Sequence, residues 1–191
     1  MRTLRFLLLF GVIAYGAVKA EAVGIDDAKI SIFFSQCDNC SSVIVKALDD
    51  AKSSVRILAY SFTSARIAKA VVDAQKRGIS VEVILDKTQK TSNYSVADFL
   101  ANQEVATRID TGFSKAHNKI MIIDDKTVIT GSFNFTSSAE SKNAENLLII
   151  ESTKLAKEYL ENYSKLRKTS EGYVARGIKQ PFPETDKDDA K

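Results

Sequence analysis

The sequence has 191 residues, with 27 basic and 24 acidic side chains, one histidine, two cysteines and a formal net charge of +3. That length suits a short leader followed by one domain of about 100 to 200 residues, and the near balance of charge excludes binding to polyanions through overall basicity alone. Two cysteines and one histidine fall short of the roughly four ligands of a structural zinc site, so neither a metal nor another cofactor is expected.

Arg2 and Arg5 precede an apolar run from Phe6 to Val18, and Ala20-Glu21-Ala22 supplies small residues at a cleavage position. The run is shorter than the ~20 residues a membrane-spanning helix needs. Residues 1–22 therefore read as a secretory signal peptide cut after Ala22, which predicts a periplasmic or secreted protein with no stable membrane insertion. Losing Arg2, Arg5 and Lys19 against Glu21 leaves 24 basic and 23 acidic residues, so any positive potential must come from local clusters.

Residues 23–170 are expected to form one domain. A short apolar run, Ile30 to Phe34, predicts a strand, and Ser41 to Ala51 a helix with Val43, Ala47 and Asp50 at helical spacing behind a serine cap. In an oxidising exported compartment Cys37 and Cys40 could form a local disulfide or stand as two ordinary thiols near the helix start. Val55 to Tyr60 reads as a strand, followed by a helix from Ala65 to Arg77 that Ser64 caps and Gly78 stops.

A strand at Val81 to Leu85, a short helix at Ser95 to Asn102 and a strand at Ala106 to Ile109 continue the alternation. Asn118 to Ile123 and Thr127 to Thr130 then read as a hairpin joined through Asp124-Asp125-Lys126. Leu147 to Ile150 is the last predicted strand. Ser152 begins a helix to about Lys168 with Leu155, Tyr159, Leu160, Tyr163 and Leu166 on its apolar side. The pattern is α/β, a mixed sheet with helices on both faces. Residues 171–191 hold both prolines and end in charges, as a solvated, flexible tail would.

The only histidine, His117, shares a strand face with Lys119, while Ile120 and Ile122 take the other face. Gly131 permits close backbone approach to a ligand, and Ser132 and Asn134 beside it can donate hydrogen bonds. Imidazole, ammonium, hydroxyl and amide converging on one place suit a phosphoryl group. Asp124, at odd spacing from His117 and at a turn, reads as structural support, and Gly131 serves geometry.

The pattern His117-x-Lys119-x4-Asp124-x6-Gly131-Ser132-x-Asn134 resembles, without a gap, the HKD motif of the phospholipase D superfamily. The order of elements and the leader resemble its short bacterial periplasmic nucleases, which carry one motif per chain. The resemblance implies a metal-independent phosphodiesterase in which one histidine attacks phosphorus to form a phosphohistidine and a second protonates the leaving oxygen, then activates water. It implies His117, Lys119 and Asn134 as catalytic residues, with Ser132 joining Lys119 and Asn134 on the phosphate, and Glu145 as the acid that holds His117. This chain has one histidine and no internal repeat, so the expected partner is a second copy, with the site on the axis of a homodimer. Lys87, Lys90, Lys115 and Lys142 form a candidate rim for a nucleic-acid substrate, with Phe113 nearby, while Phe133 and Phe135 are expected in the core. A lipid phosphodiesterase of the same superfamily, which requires an exposed apolar surface, and a non-catalytic nucleic-acid-binding module are the alternatives.

Overall fold

The computed structural model describes residues 28–177. The leader expected at 1–22 and the stretch from 178 onward lie outside the described residues. In chain order the elements are β1 (Lys29–Phe34), α1 (Cys40–Asp49), β2 (Ser54–Ala59), α2 (Ala65–Lys76), β3 (Ser80–Asp86), α3 (Ala97–Asn102), β4 (Ala106–Asp110), β5 (Lys119–Ile123), β6 (Thr127–Gly131), α4 (Ser137–Ser141), β7 (Asn146–Glu151), α5 (Thr153–Thr169) and β8 (Ser170–Gly172), with a 3-10 turn at Lys87–Lys90. The strands form one sheet in the order β1-β7-β6-β5-β2-β3-β4-β8. β2, β3 and β4 run parallel and every other neighbouring pair is antiparallel. The expected mixed α/β sheet is what the chain forms.

Strand alternation divides the core in two. Val55, Ile57, Met121, Ile123, Ile129 and Leu147 point to the side covered by α1, α2 and α3. Leu58, Ile84, Ile120, Ile122 and Val128 point to the other side, where α5 lays Ala156, Tyr163 and Leu166 against them. The caps are largely those expected: Ser64 Oγ accepts from Ile67 N, Ser152 Oγ accepts from Leu155 N, and Gly78 leaves α2 at φ +88°. In the three-residue β5–β6 connection Asp124 and Asp125 sit at φ +53° and +55°, the two central residues of the turn that Lys126 N closes onto the Ile123 carbonyl.

Two expectations change and one left open is decided. The cap of α1 is Asn39, whose Oδ1 accepts from Ser42 N, and the buried stripe is Cys40, Ile44 and Leu48 rather than Val43, Ala47 and Asp50. Cys37 and Cys40 are free thiols, one exposed and one buried. Cys40 opens α1 under the carboxylate of Glu140, which accepts from Cys40 N and Ser41 N. Burial first, then the charges of Glu140 and Asp38, push its thiol up to about 11. Third, the start of the predicted tail is docked. β8 pairs with β4, and Tyr173 Oη, Arg176 N and the Arg176 guanidinium all donate to the buried carboxylate of Asp98.

Candidate active site

One edge of the sheet collects the carboxyl ends of β2, β3, β4 and β6 and the starts of β5 and β7, because Ala59 faces Lys119 and Gly131 faces Leu147 in the antiparallel registers. The motif side chains all arrive at this edge except Asp124. His117 lies two residues before β5 and is exposed, whereas Lys119, the first residue of the strand, is half-buried. Lys119 Nζ stands 3.2 Å from both His117 ring nitrogens and 3.3 Å from the His117 carbonyl oxygen. Burial lowers the Lys119 ammonium below the usual lysine range, and the negative charge of Glu145 works against that shift.

The second half of the site is the turn after β6. Gly131 has φ +145°, and a Cβ there would run into the carbonyl of Asn146, so only glycine lets the turn close on β7. The Asn146 carbonyl accepts from Ser132 N and Phe133 N, and Ser132 Oγ accepts from Asn146 N. Phe133 and Phe135 are buried, as expected, and grip the segment from both sides of Asn134. Between these anchors Asn134 Oδ1 is buried with no hydrogen-bond partner. A half-turn of that amide puts its Nδ2 donors in the same place, so the site holds an unanswered polar group that a phosphoryl oxygen can answer.

Glu145 also reaches this edge, but its carboxylate accepts from Asn143 Nδ2 at 2.9 Å and is not hydrogen-bonded to His117. The ammonium of Lys119 is the group that feels its charge. Ser35 pins the Glu145 backbone, donating its own N–H to the Glu145 carbonyl and accepting from Glu145 N through Oγ. Asp124 sits at the far end of β5, where its carboxylate accepts from Lys52 N, Ser53 N, Ser53 Oγ and Ser54 N. It ties the α1–β2 loop to the hairpin, a structural part. Among the described residues, no group of three or more His, Cys, Asp or Glu side chains is placed to hold a metal ion.

Sequence reasoning missed three supports. Tyr60, after β2, packs its ring on His117. Asp86, at the end of β3, accepts from Ala116 N at 2.7 Å, and the buried Gln89 accepts from Phe62 N. Each closes or follows an apolar run at the carboxyl end of a parallel strand, where α/β sheets gather ligand-binding residues, and that position was the available signal.

Comparison with known proteins bears on the same residues. A family model described as "Cardiolipin synthase, PLD-like domain" matches residues 44–167, which span both halves of the motif. The chain belongs to the phospholipase D-like family. Within it, the chain is 39% identical to a phospholipase D of Rickettsia bellii over 71% of this chain and 68% of that protein. It is 34% identical to the mitochondrial cardiolipin hydrolase of Mus musculus over 65% of this chain and 57% of that one. Among solved structures, the phospholipase D family member Nuc of Salmonella typhimurium superposes with a TM-score of 0.74 at 37% identity, over 77% of this chain and 99% of Nuc. NucT of Helicobacter pylori gives 0.70 at 27% identity, over 76% and 99%. The phospholipase D-like chain is therefore a phosphodiesterase by family, built on the scale of these short members.

Proposed function

We propose that this phosphodiesterase is an exported endonuclease that works as a homodimer through a phosphohistidine. His117 of one protomer attacks phosphorus in line, the bond to the leaving oxygen breaks, and His117 of the partner subunit protonates that oxygen. The same partner imidazole then takes a proton from water, which attacks the phosphohistidine and frees His117. Lys119 and Asn134 from both chains hold the non-bridging oxygens, so the charge developing at phosphorus meets fixed cations and donors. One histidine per chain and one motif per chain support the twofold arrangement.

The observation that carries the nucleic-acid reading is the surface beside the site. The loops leaving β3 and β4 at the same edge hold Tyr94, 82% exposed, and Phe113, 55% exposed, among the exposed Lys87, Lys90 and Lys115. Cations that follow a phosphate backbone, interleaved with open aromatic faces on which bases stack, are what polynucleotide binding uses.

A second reading has its own observation. On the face of edge strand β1 opposite Phe33, which packs on the α1–α2 side, Ile30, Ile32 and Phe34 are exposed, which is an apolar surface of the kind a lipid phosphodiesterase needs. The deciding experiment is digestion, in EDTA, of circular single- and double-stranded DNA, RNA, phosphatidylcholine and cardiolipin, beside the His117→Ala protein. Cleavage of polynucleotide that depends on His117 supports the endonuclease. Turnover of lipid alone moves the activity to the second reading, and binding of polynucleotide without any turnover leaves a binding module.

A further inference from the structure

Within one protomer His117 is exposed, and the Glu145 carboxylate of the same chain is bonded to Asn143. The side chain that does pack on the imidazole is Tyr60, with ring centroids 4.3 Å apart and planes inclined by 54°. The same aromatic ring lies 5.1 Å from Lys119 Nζ, and that ammonium is 3.2 Å from each imidazole nitrogen. Tyrosine, histidine and lysine thus form a closed three-way cluster in which Tyr60 is the uncharged wall.

Two physical needs meet at that wall. The terminal torsion of a histidine is broad, while in-line attack on phosphorus tolerates little misplacement, about a hundredfold in rate for an ångström. A ring packed at 4.3 Å limits how far the imidazole can swing. The proton-transfer role also passes through an imidazolium, which the Lys119 ammonium opposes. The negative π face of Tyr60 attracts both cations and lets them share the site.

The backbone around Tyr60 is fixed to both halves of the motif. Tyr60 N donates to the carbonyl of Asn118, the residue between His117 and Lys119, at 2.8 Å. Next along the chain, the Ser61 carbonyl accepts from Phe135 N, and the Phe62 ring meets Phe135 edge to face at 5.5 Å. Moving Tyr60 therefore moves His117 relative to Asn134.

We propose that Tyr60 is a positioning residue for His117, a wall that fixes its ring from within the same protomer. The proposal rests only on phosphodiester chemistry at this site and holds whichever polymer or lipid is the substrate. The test compares Tyr60→Phe with Tyr60→Leu, and with Tyr60→Met as a second apolar filler lacking an aromatic face. All are made in the full-length chain without a histidine tag and assayed on bis(p-nitrophenyl) phosphate. Tyr60→Phe is expected to stay within about twofold of the unaltered protein, and the Leu and Met variants to lose about tenfold in kcat with KM and Tm little changed. Because His117 is the only histidine, its imidazole proton signals in an NMR spectrum need no assignment, and the Leu and Met variants should lose the ring-current shift that Tyr60→Phe keeps. Unaltered kcat in folded Leu or Met variants, an unmoved imidazole signal, or a Tyr60→Phe protein as slow as Tyr60→Leu would each overturn the proposal. A parent chain that turned over no phosphodiester would sink the reaction itself, an outcome separate from normal turnover that is indifferent to Tyr60.

Discussion

The buried carboxylate of Asp86 accepts a hydrogen bond from the backbone N–H of Ala116, the residue before His117, at 2.7 Å. Its other oxygen accepts from Thr88 N and Thr88 Oγ1, so the end of β3 clamps the loop that delivers the His117 imidazole. Hydrogen bonds to a charged acceptor contribute about 1.5 to 3 kcal/mol, and a backbone donor left buried without one costs as much. Asp86→Ala is expected to lower kcat by about tenfold or more while Asp86→Asn, which keeps one acceptor, loses less. Steady-state kinetics on a small phosphodiester, with circular dichroism to confirm folding, checks the order of the two variants. Equal activity of Asp86→Ala and the unaltered protein would show that the loop needs no clamp.

Asp124 predicts an acid weakness. Burial pushes its carboxyl up, but the donors from Ser53, Ser54 and Lys52 outweigh that and hold it below the ordinary 3.8. A carboxylate whose folded value is depressed contributes stability above its unfolded value and loses it as the pH falls through the folded one. The same sign holds for Asp86 and Asp98. Tm is therefore expected to be flat near neutral pH and to fall below about pH 4. Asp124→Asn should lower Tm at pH 7 and flatten the acid decline, with kcat little altered at temperatures where the variant is folded, because Asp124 lies at the opposite end of β5 from Lys119. Thermal melts from pH 7 to pH 2.5 read both effects.

The hairpin carrying Asp124 was legible from sequence because it is local: a β-rich run, two aspartates able to take left-handed φ, and a second run. The same holds for α2 and α5, whose caps and stop residues sit within a few positions of each other. The face of α1 was not legible, since Asn39 starts the helix earlier than Ser41 and brings Cys40 inward. Nor were Tyr60 and Asp86, whose partners Asn118 and Ala116 meet them only through sheet pairing and a loop some distance along the chain. For Glu145 the motif placed the residue at the right edge, but the hydrogen bond to Asn143 depends on how the α4–β7 loop folds over Ser35. The docked start of the tail escaped detection because its anchor, the contact of Tyr173 and Arg176 with Asp98, joins a segment of polar composition to a residue more than seventy positions earlier.

That anchor is testable. Asp98 is 2% exposed and takes four hydrogen bonds from Tyr173 and Arg176. Arg176→Ala leaves the buried carboxylate with the Tyr173 hydroxyl and one backbone donor, and removing one partner of such a pair costs about 3 to 5 kcal/mol. Residues 170–176 should then exchange amide hydrogens faster and β8 should become open to protease, while His117 chemistry is unchanged. Hydrogen exchange read by mass spectrometry locates the loosened segment. Protection unchanged in residues 170–176 would mean that β4 pairing alone holds them.

Gly131 gives a prediction in which geometry and activity fall together. Alanine there faces a left-handed φ and the Asn146 carbonyl at once, so the turn must open and Ser132 and Asn134 shift with it. Strain of this kind costs about 1 to 3 kcal/mol, or a Tm lower by roughly 2 to 12 °C at this size. Activity should fall much further than stability, by about a hundredfold, because an ångström of displacement at the phosphate costs that much. Kinetics measured well below Tm separate the two losses.

Asn134 should do the opposite. Its buried Oδ1 has no partner, so the folded protein carries the desolvation cost of a polar group, about 1 to 3 kcal/mol, with nothing returned in the absence of substrate. Replacing the amide by an apolar side chain of similar shape removes that cost, and Asn134→Leu is expected to be as stable as the unaltered protein or to raise Tm by a few degrees. Under the proposed mechanism the same change also removes a donor to the phosphoryl oxygens, and loss of one such donor lowers kcat by about a hundred- to a thousandfold. A melt and a rate on the same preparation decide the matter. A protein both less stable and less active would mark Asn134 as a packing residue. One that melts no lower and turns over hundreds of times more slowly marks it as a group held unsatisfied for the substrate.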